Sequence, residues 1–147
     1  MLKLFAVCGA WLLMIAGAWV QQAAKPAGEY KIPPEAIKQV NPIKPTPAGM
    51  AQAKKMYGYD CAMCHGAEGD GKGELVGQMK LKLTDFRDAA SLKDVTDGEM
   101  FYVIKNGKGD MPPEGDRLKT DDVWNLVHYI RSLAKKEAPG KSQPDTP

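Results

Sequence analysis

The sequence predicts a small all-α domain. Three segments carry apolar residues at helical spacing, and no stretch alternates apolar and polar residues for long enough to indicate a strand. The chain of 147 residues suits one domain with tails, and its hydrophobic fraction of 44% is that of a globular protein. The formal net charge of +2 gives no sign of the concentrated basic face that nucleic acids require, so we expect no nucleic acid partner.

The N-terminus has the pattern of an export signal, which we place at residues 1–18. Lys3 precedes a continuous apolar run, and the small residues at 16–18 offer a cleavage site. The alternative is an uncleaved membrane anchor that extends to about residue 20, close to the minimum length that spans a bilayer. Either reading predicts an exported, periplasmic protein, with a membrane tether if the signal is retained.

Composition divides the rest of the chain into three parts. Residues 19–47 are rich in proline, and we expect an extended tether or an arm that wraps the domain. Residues 48–136 carry the helical signals and form the domain. Residues 137–147 are polar and proline-rich, and are predicted to be disordered.

The first predicted helix precedes residue 61. Met50, Ala53 and Tyr57 recur at helical spacing, and Gly58 is expected to end the helix.

The second and third helices carry capping signals. Thr96 with Glu99 fits a capping box, and Gly107 is a stop signal. Thr120 can cap the last helix, whose apolar stripe predicts a buried face. The residues expected to be buried on these two helices are Met100, Phe101, Ile104, Val123, Leu126, Val127, Ile130 and Leu133. Residues 66–94 lack regular signals, and a loop of that length needs an organising element such as a large apolar cofactor.

Residues 61–65 form the motif C-x-x-C-H. Cys61 and Cys64 lie one helical turn apart, so both can form thioethers with one haem, and His65 follows in position to bind its iron. A thioredoxin-like pair would need a preceding strand, and a zinc site would need four ligands. A disulfide across so short a loop would stabilise little. The motif therefore predicts one haem c, covalently bound through Cys61 and Cys64.

Six-coordinate iron needs a second axial ligand, for which we favour Met111. It stands among glycines, prolines and acidic residues, where an apolar core residue is not expected, and the two prolines after it would hold its sulfur in place. Met79, in a loop, is the alternative. Ligation by His65 and Met111 would occupy both faces of the iron, which suits an electron carrier without substrate turnover of its own.

These motifs resemble the class I cytochromes c, small mono-haem bacterial electron carriers. The resemblance covers residues 48–136 and rests on "CAMCHG", "GDGKG", "IKNGKGDMP" and "VWNLVHYIRSL". It implies a small cytochrome c fold, with three main helices and long loops wrapped around the haem. It also implies that Ala53 and Tyr57 of the first helix meet Leu126 and Tyr129 of the last.

The chain departs from this family at one position. The family usually has a proline about ten residues after the haem histidine, and its carbonyl accepts a hydrogen bond from the imidazole. No proline lies between residues 47 and 112 of this chain. We expect the carbonyl of Leu75, Val76 or Gly77 to take its place.

The sequence therefore predicts a mono-haem c-type cytochrome that transfers single electrons between redox partners in a respiratory chain. The partners would be a membrane oxidase or reductase, or a dehydrogenase. The alternative is a haem subunit of a larger membrane oxidoreductase or dehydrogenase complex, in which the proline-rich segment serves as a docking arm. A third hypothesis is a haem enzyme or gas sensor in which Met111 is labile.

Overall fold

A computed structural model describes residues 30–134, so the predicted export signal and C-terminal tail lie outside the described residues. Within this range the chain forms the helices α1 (Pro34–Ile37), α2 (Pro47–Asp60), α3 (Ala62–His65), α4 (Leu75–Met79), α5 (Asp97–Asn106) and α6 (Thr120–Ala134), with a 3₁₀ turn at Ala89–Leu92. No β-strand forms among these residues, and the predicted all-α fold is confirmed. None of the helices within residues 30–134 is both long and apolar enough to cross a bilayer.

The core is built on the crossing of α2 and α6. Ala53 of α2 and Val127 of α6 are fully buried in the same hydrophobic cluster. The rings of Tyr57 and Tyr129 pack with their centroids 5.2 Å apart. The contact that the family resemblance implies between these two helices is therefore present.

Helix α5 completes the core, and its two ends are those that the sequence predicts. The Thr96 hydroxyl accepts a hydrogen bond from the Glu99 N–H, which satisfies a donor of the first turn. Gly107 follows the last turn with φ +75°, a conformation that few residues other than glycine adopt. The ring of Phe101 stacks on Trp124 of α6 at 4.0 Å, which joins α5 to the helix crossing.

Residues 30–46 form an N-terminal arm that packs along α5 and α6. The arm contains the short helix α1, which corrects our expectation of an entirely extended segment. The Asn41 side chain donates a hydrogen bond to the Trp124 carbonyl at 3.0 Å, and the Thr96 hydroxyl donates one to the Ile37 carbonyl at 2.7 Å. The described part of the proline-rich segment therefore behaves as a wrapping arm and not as a free tether.

Three helix predictions need correction. Helix α2 continues past Gly58 to Asp60, because Gly58 does not adopt the positive φ of a helix stop and the Cys61 N–H still bonds to the Tyr57 carbonyl. Helix α6 begins at Thr120 itself, so this residue is the first of the helix and not its cap. The stretch of residues 66–94, expected to be irregular, contains α4 and the 3₁₀ turn.

Candidate functional site

The motif C-x-x-C-H forms a single tight turn directly after α2. The N–H groups of Cys64 and His65 both bond to the Cys61 carbonyl, at 3.1 and 2.8 Å. Neither cysteine is in a disulfide, and both are partly buried. Residues 61–65, the attachment turn, therefore bring the two thiols and the imidazole together on one turn of backbone, as predicted.

The environment of Cys61 suits a neutral sulfur. Burial raises the pKa of its thiol to about 12, and the neighbouring carboxylates of Asp60 and Glu114 act in the same direction. A reactive dithiol or a zinc site needs the thiolate, which this environment disfavours. Within residues 30–134, no group of three or more His, Cys, Asp or Glu side chains is arranged to hold a metal ion by itself.

The imidazole of His65 is partly buried and neutral. Burial lowers its pKa from the ordinary value of 6.5, so the ring is uncharged at neutral pH and has a lone pair for a metal. Its Nδ1 is buried and has no hydrogen-bond partner among the described residues. The prediction that Leu75, Val76 or Gly77 supplies a carbonyl to this nitrogen is therefore wrong. The Val76 carbonyl instead accepts a bond from the N–H of Leu81.

Phe86 lies against one face of the imidazole. Its ring stacks on the His65 ring with a centroid separation of 4.8 Å and an angle of 22° between the planes. The backbone holds Phe86 there, because its N–H bonds to the Gly69 carbonyl at 2.7 Å. Sequence reasoning missed this residue, since no local pattern links it to His65.

Residues 66–73, the glycine loop, fold back onto the attachment turn. The N–H of Gly71 bonds to the His65 carbonyl at 2.8 Å, and the N–H of Gly73 bonds to the Cys64 carbonyl at 3.0 Å. The Tyr57 hydroxyl donates a bond to the Gly66 carbonyl at 3.0 Å. The loop is thus tied to both the motif and the helix crossing.

Close approach explains the glycine at position 73. A Cβ on Gly73 would lie 2.3 Å from the Met63 carbonyl oxygen and 2.6 Å from the Cys64 carbonyl carbon. These are backbone atoms of the attachment turn and cannot rotate away. Only glycine therefore lets the loop pack this closely against the motif.

Met111 lies apart from the attachment turn, in a turn of its own at the end of α5. Residues 107–111, the Met111 turn, close through two bonds of 3.0 Å, from the Lys108 N–H to the Met111 carbonyl and from the Met111 N–H to the Lys108 carbonyl. The Glu114 N–H bonds to the Ile104 carbonyl at 3.0 Å, which ties the following segment to α5. Met111 is partly buried and packs against the hydrophobic core.

The other candidates for an axial ligand have different environments. Met79, the alternative drawn from the sequence, is 46% exposed at the end of α4, and Met63 is 54% exposed. Met56 and Met100 are buried in the core. The Nε2 of His128 lies 2.6 Å from the Ile43 carbonyl, so it already has a partner in the N-terminal arm.

An ion-pair cluster connects the residue before the attachment turn with the segment after the Met111 turn. Arg117 pairs with Asp60, which directly precedes Cys61, and with Glu114, which follows Met111 by three residues. Glu114 is only 5% exposed, and its burial raises its pKa while Arg117 opposes that shift. Sequence reasoning missed this cluster, because Asp60 and Arg117 are 57 positions apart along the chain.

The described residues fit a haem c. The attachment turn presents two thiols and a neutral imidazole, and the buried, unpartnered Nδ1 shows that the ring does not serve an internal hydrogen bond. The glycine loop keeps side-chain atoms away from the turn on one side. These are the donors that covalent haem attachment needs.

Comparison with known proteins agrees with this site. A family model described as "Cytochrome C oxidase, cbb3-type, subunit III" matches residues 48–130. The chain belongs to this family. It is a mono-haem c-type cytochrome, with haem c bound covalently through Cys61 and Cys64, and it transfers electrons.

Curated relatives include cytochromes c6. The cytochrome is 30% identical over 87 residues to cytochrome c6 of Diacronema lutheri. The matched residues cover 58% of this chain and 96% of that protein. The cytochrome is 32% identical over 89 residues to cytochrome c6 of Leptolyngbya boryana, with coverage of 60% and 98%. These likenesses are consistent with an electron-transfer protein.

A solved structure adds support for the fold. The cytochrome superposes with a TM-score of 0.53 and 26% identity on a chain of the reducing HAO-like protein complex of Kuenenia stuttgartiensis. The match covers 63% of this chain and 46% of that one, so this chain spans less than half of its length.

Replacement by alanine should affect stability differently at Gly73 of the glycine loop and at Gly77 of α4. In the haem-loaded protein, Gly73→Ala should lower the free energy of unfolding by about 1–3 kcal/mol, because the added methyl group meets backbone atoms. Gly77→Ala, in α4, has no atom within 4 Å of the new methyl group and should leave stability unchanged or raise it by about 0.4–1 kcal/mol. Denaturant unfolding followed by circular dichroism measures both. Equal midpoints for the two variants would contradict the packing described.

Proposed function

We propose that the cytochrome is an electron carrier without substrate turnover of its own, whose haem iron lies between His65 and Met111. The observation that carries this proposal is the contrast in environment. His65 is partly buried and neutral and has a buried Nδ1 without a hydrogen-bond partner, and Met111 is a partly buried methionine in a polar turn, whereas Met63 and Met79 are exposed. Two protein ligands would leave no open position on the iron for a substrate.

Each residue has a separate task in this proposal. Haem c supplies a one-electron couple between ferric and ferrous iron, and a thioether ligand raises its reduction potential relative to a second histidine. Cys61 and Cys64 fix the ring to the attachment turn, so the cofactor cannot dissociate. His65 offers a neutral nitrogen without first losing a proton. Met111, as the second ligand, would keep water and other ligands off the iron.

We also propose that the site of action is the periplasm and that the chain acts in respiratory electron transfer. The predicted export signal at residues 1–18 supports this location, with an uncleaved anchor as the alternative. The partners would be redox proteins, either a membrane oxidase or reductase or a dehydrogenase. Electron transfer would require only a brief contact over a small surface.

A second candidate function is a haem subunit of a larger membrane oxidoreductase or dehydrogenase complex. The description of the matching family names an oxidase subunit, and the superposed chain comes from a multi-protein complex. The N-terminal arm does not favour this candidate, because residues 30–46 pack on the cytochrome's own α5 and α6. Purification from native membranes under mild conditions separates the two. Co-elution with other redox subunits favours the complex, and a free monomer favours the carrier.

Replacement of Met111 tests the proposed ligand. Met111→Ala should abolish the methionine–iron charge-transfer band of the ferric protein, lower the reduction potential and let the ferrous protein bind carbon monoxide. Met79→Ala is the matched control and should change none of these, because Met79 is exposed. An unchanged spectrum in Met111→Ala, or a changed one in Met79→Ala, would remove Met111 from the ligand set. Binding of carbon monoxide by the unmodified protein would favour a gas sensor or haem enzyme.

Phe86 should orient His65 in place of the absent carbonyl. Phe86→Leu removes the flat surface that holds the imidazole plane, so we expect altered electron paramagnetic resonance g-values and a shifted reduction potential in the ferric protein. Phe86→Tyr keeps the ring and should preserve both. Phe101→Leu is the control, because Phe101 is buried and stacked on Trp124. The same g-values in all three variants would show that the stacking does not position the ligand.

A further inference from the structure

We propose that Tyr30, at the start of the N-terminal arm, clamps the Met111 turn and so determines how firmly Met111 remains on the iron. This inference rests on the proposed ligation by Met111. Tyr30 lies outside residues 48–130, which match the family model, and it belongs to the proline-rich segment that the sequence predicts to be an extended tether or a wrapping arm. Its role would be that of a positioning residue, acting through the backbone of the Met111 turn.

Tyr30 makes three contacts at the base of this turn. Its hydroxyl donates a hydrogen bond to the Gly107 carbonyl at 2.8 Å, across 77 positions of sequence. The Lys108 ammonium lies 5.4 Å from the centroid of its ring, within the range of a cation–π interaction. The ring also meets Tyr102 edge to face at 6.4 Å. One side chain thus contacts the last turn of α5 and the first two residues of the Met111 turn.

A hydrogen bond to Gly107 can restrict the conformation of the Met111 turn, because the two ends of the turn meet at this residue. A Cβ on Gly107 would lie 2.5 Å from the Met111 carbonyl oxygen and 2.9 Å from the Pro113 nitrogen, so the two ends of the turn touch there. The Gly107 carbonyl belongs to the peptide that leads into Lys108, whose N–H bonds to the Met111 carbonyl. A hydrogen bond that fixes this peptide therefore restricts the backbone on which the Met111 side chain is mounted.

The arm behind Tyr30 is itself anchored. A Cβ on Gly98 of α5 would lie 2.0 Å from the Ala36 carbonyl oxygen, so α1 is in direct contact with the start of α5. The hydrogen bonds from Thr96 to Ile37 and from Asn41 to Trp124 hold the rest of the arm. Tyr30 is 38% exposed at the arm's described beginning, so its own contacts are those that open most readily.

The expected consequence is a shift in an opening equilibrium. A ligand such as imidazole binds ferric iron only when the methionine sulfur has left, so its apparent affinity rises with the fraction of open molecules. Loss of one partly exposed hydrogen bond should raise that fraction about 2- to 10-fold. A purely structural role for Tyr30 would change global unfolding but not the affinity for imidazole under native conditions.

The test is an imidazole titration of the ferric, haem-loaded full chain, followed optically. Tyr30→Phe removes only the hydroxyl and should lower the apparent dissociation constant about 2- to 10-fold. Tyr59→Phe is the matched control, because Tyr59 is 72% exposed on α2, and it should leave the constant unchanged. Gly98→Ala displaces the arm through Ala36 without touching the Met111 turn, and should act in the same direction as Tyr30→Phe.

Met111→Ala separates the two ways in which the proposal can fail. If Met111→Ala tightens imidazole binding strongly while Tyr30→Phe matches Tyr59→Phe, the clamp is wrong and the ligand assignment stands. If Met111→Ala leaves imidazole binding unchanged, Met111 is not the ligand, and the clamp fails with it. An effect of Tyr30→Phe without an effect of Gly98→Ala would overturn the role of the anchored arm.

Discussion

The haem site depends on Tyr57, a residue of α2 that is buried where α2 crosses α6. The side chain is 1% exposed, its ring packs on Tyr129 of α6, and its hydroxyl bonds to the Gly66 carbonyl. Burial raises the pKa of this phenol, so the hydroxyl remains a hydrogen-bond donor throughout the physiological range. One residue thereby couples the helix crossing to the first residue after His65. The attachment turn inherits its rigidity from the core and not from its own short helix.

The two sides of the proposed iron site are held in different ways. On the His65 side, the turn is fixed by the glycine loop, by Tyr57 and by the stacked ring of Phe86. On the Met111 side, the turn depends on its own pair of hydrogen bonds and on contacts at its base. In the proposed coordination the histidine is therefore the fixed ligand and the methionine the adjustable one. Arg117 bridges the two sides through Asp60 and Glu114.

Sequence reasoning succeeded where the signal is local. The spacing of Cys61, Cys64 and His65, the cap at Thr96 and the stop at Gly107 each depend on neighbours within one turn of backbone, and the structure has all of them. The crossing of α2 and α6 followed from the family resemblance. Ligation by Met111 and the domain boundaries stay predictions.

What sequence reasoning missed depends on distant partners. Gly58 resembles a helix stop in isolation, but α2 continues because the bond from the Cys61 N–H to the Tyr57 carbonyl remains available. Phe86 reaches His65 only through the fold of the glycine loop. Tyr30 bonds to Gly107, 77 positions away along the chain, and the periodicity of a sequence cannot predict such a contact. The proline-rich composition around Tyr30 left a tether and a wrapping arm as alternatives, and the tertiary contacts with α5 and α6 that decide for the arm leave no local signal.

The central claim is that one methionine and one histidine hold the haem iron. Near-infrared magnetic circular dichroism of the ferric, haem-loaded protein tests it most directly, because the energy of its charge-transfer band depends on the pair of axial ligands. The account predicts a single low-spin species with the band of histidine–methionine ligation. A band of bis-histidine ligation, or a high-spin spectrum with an open axial position, would contradict it.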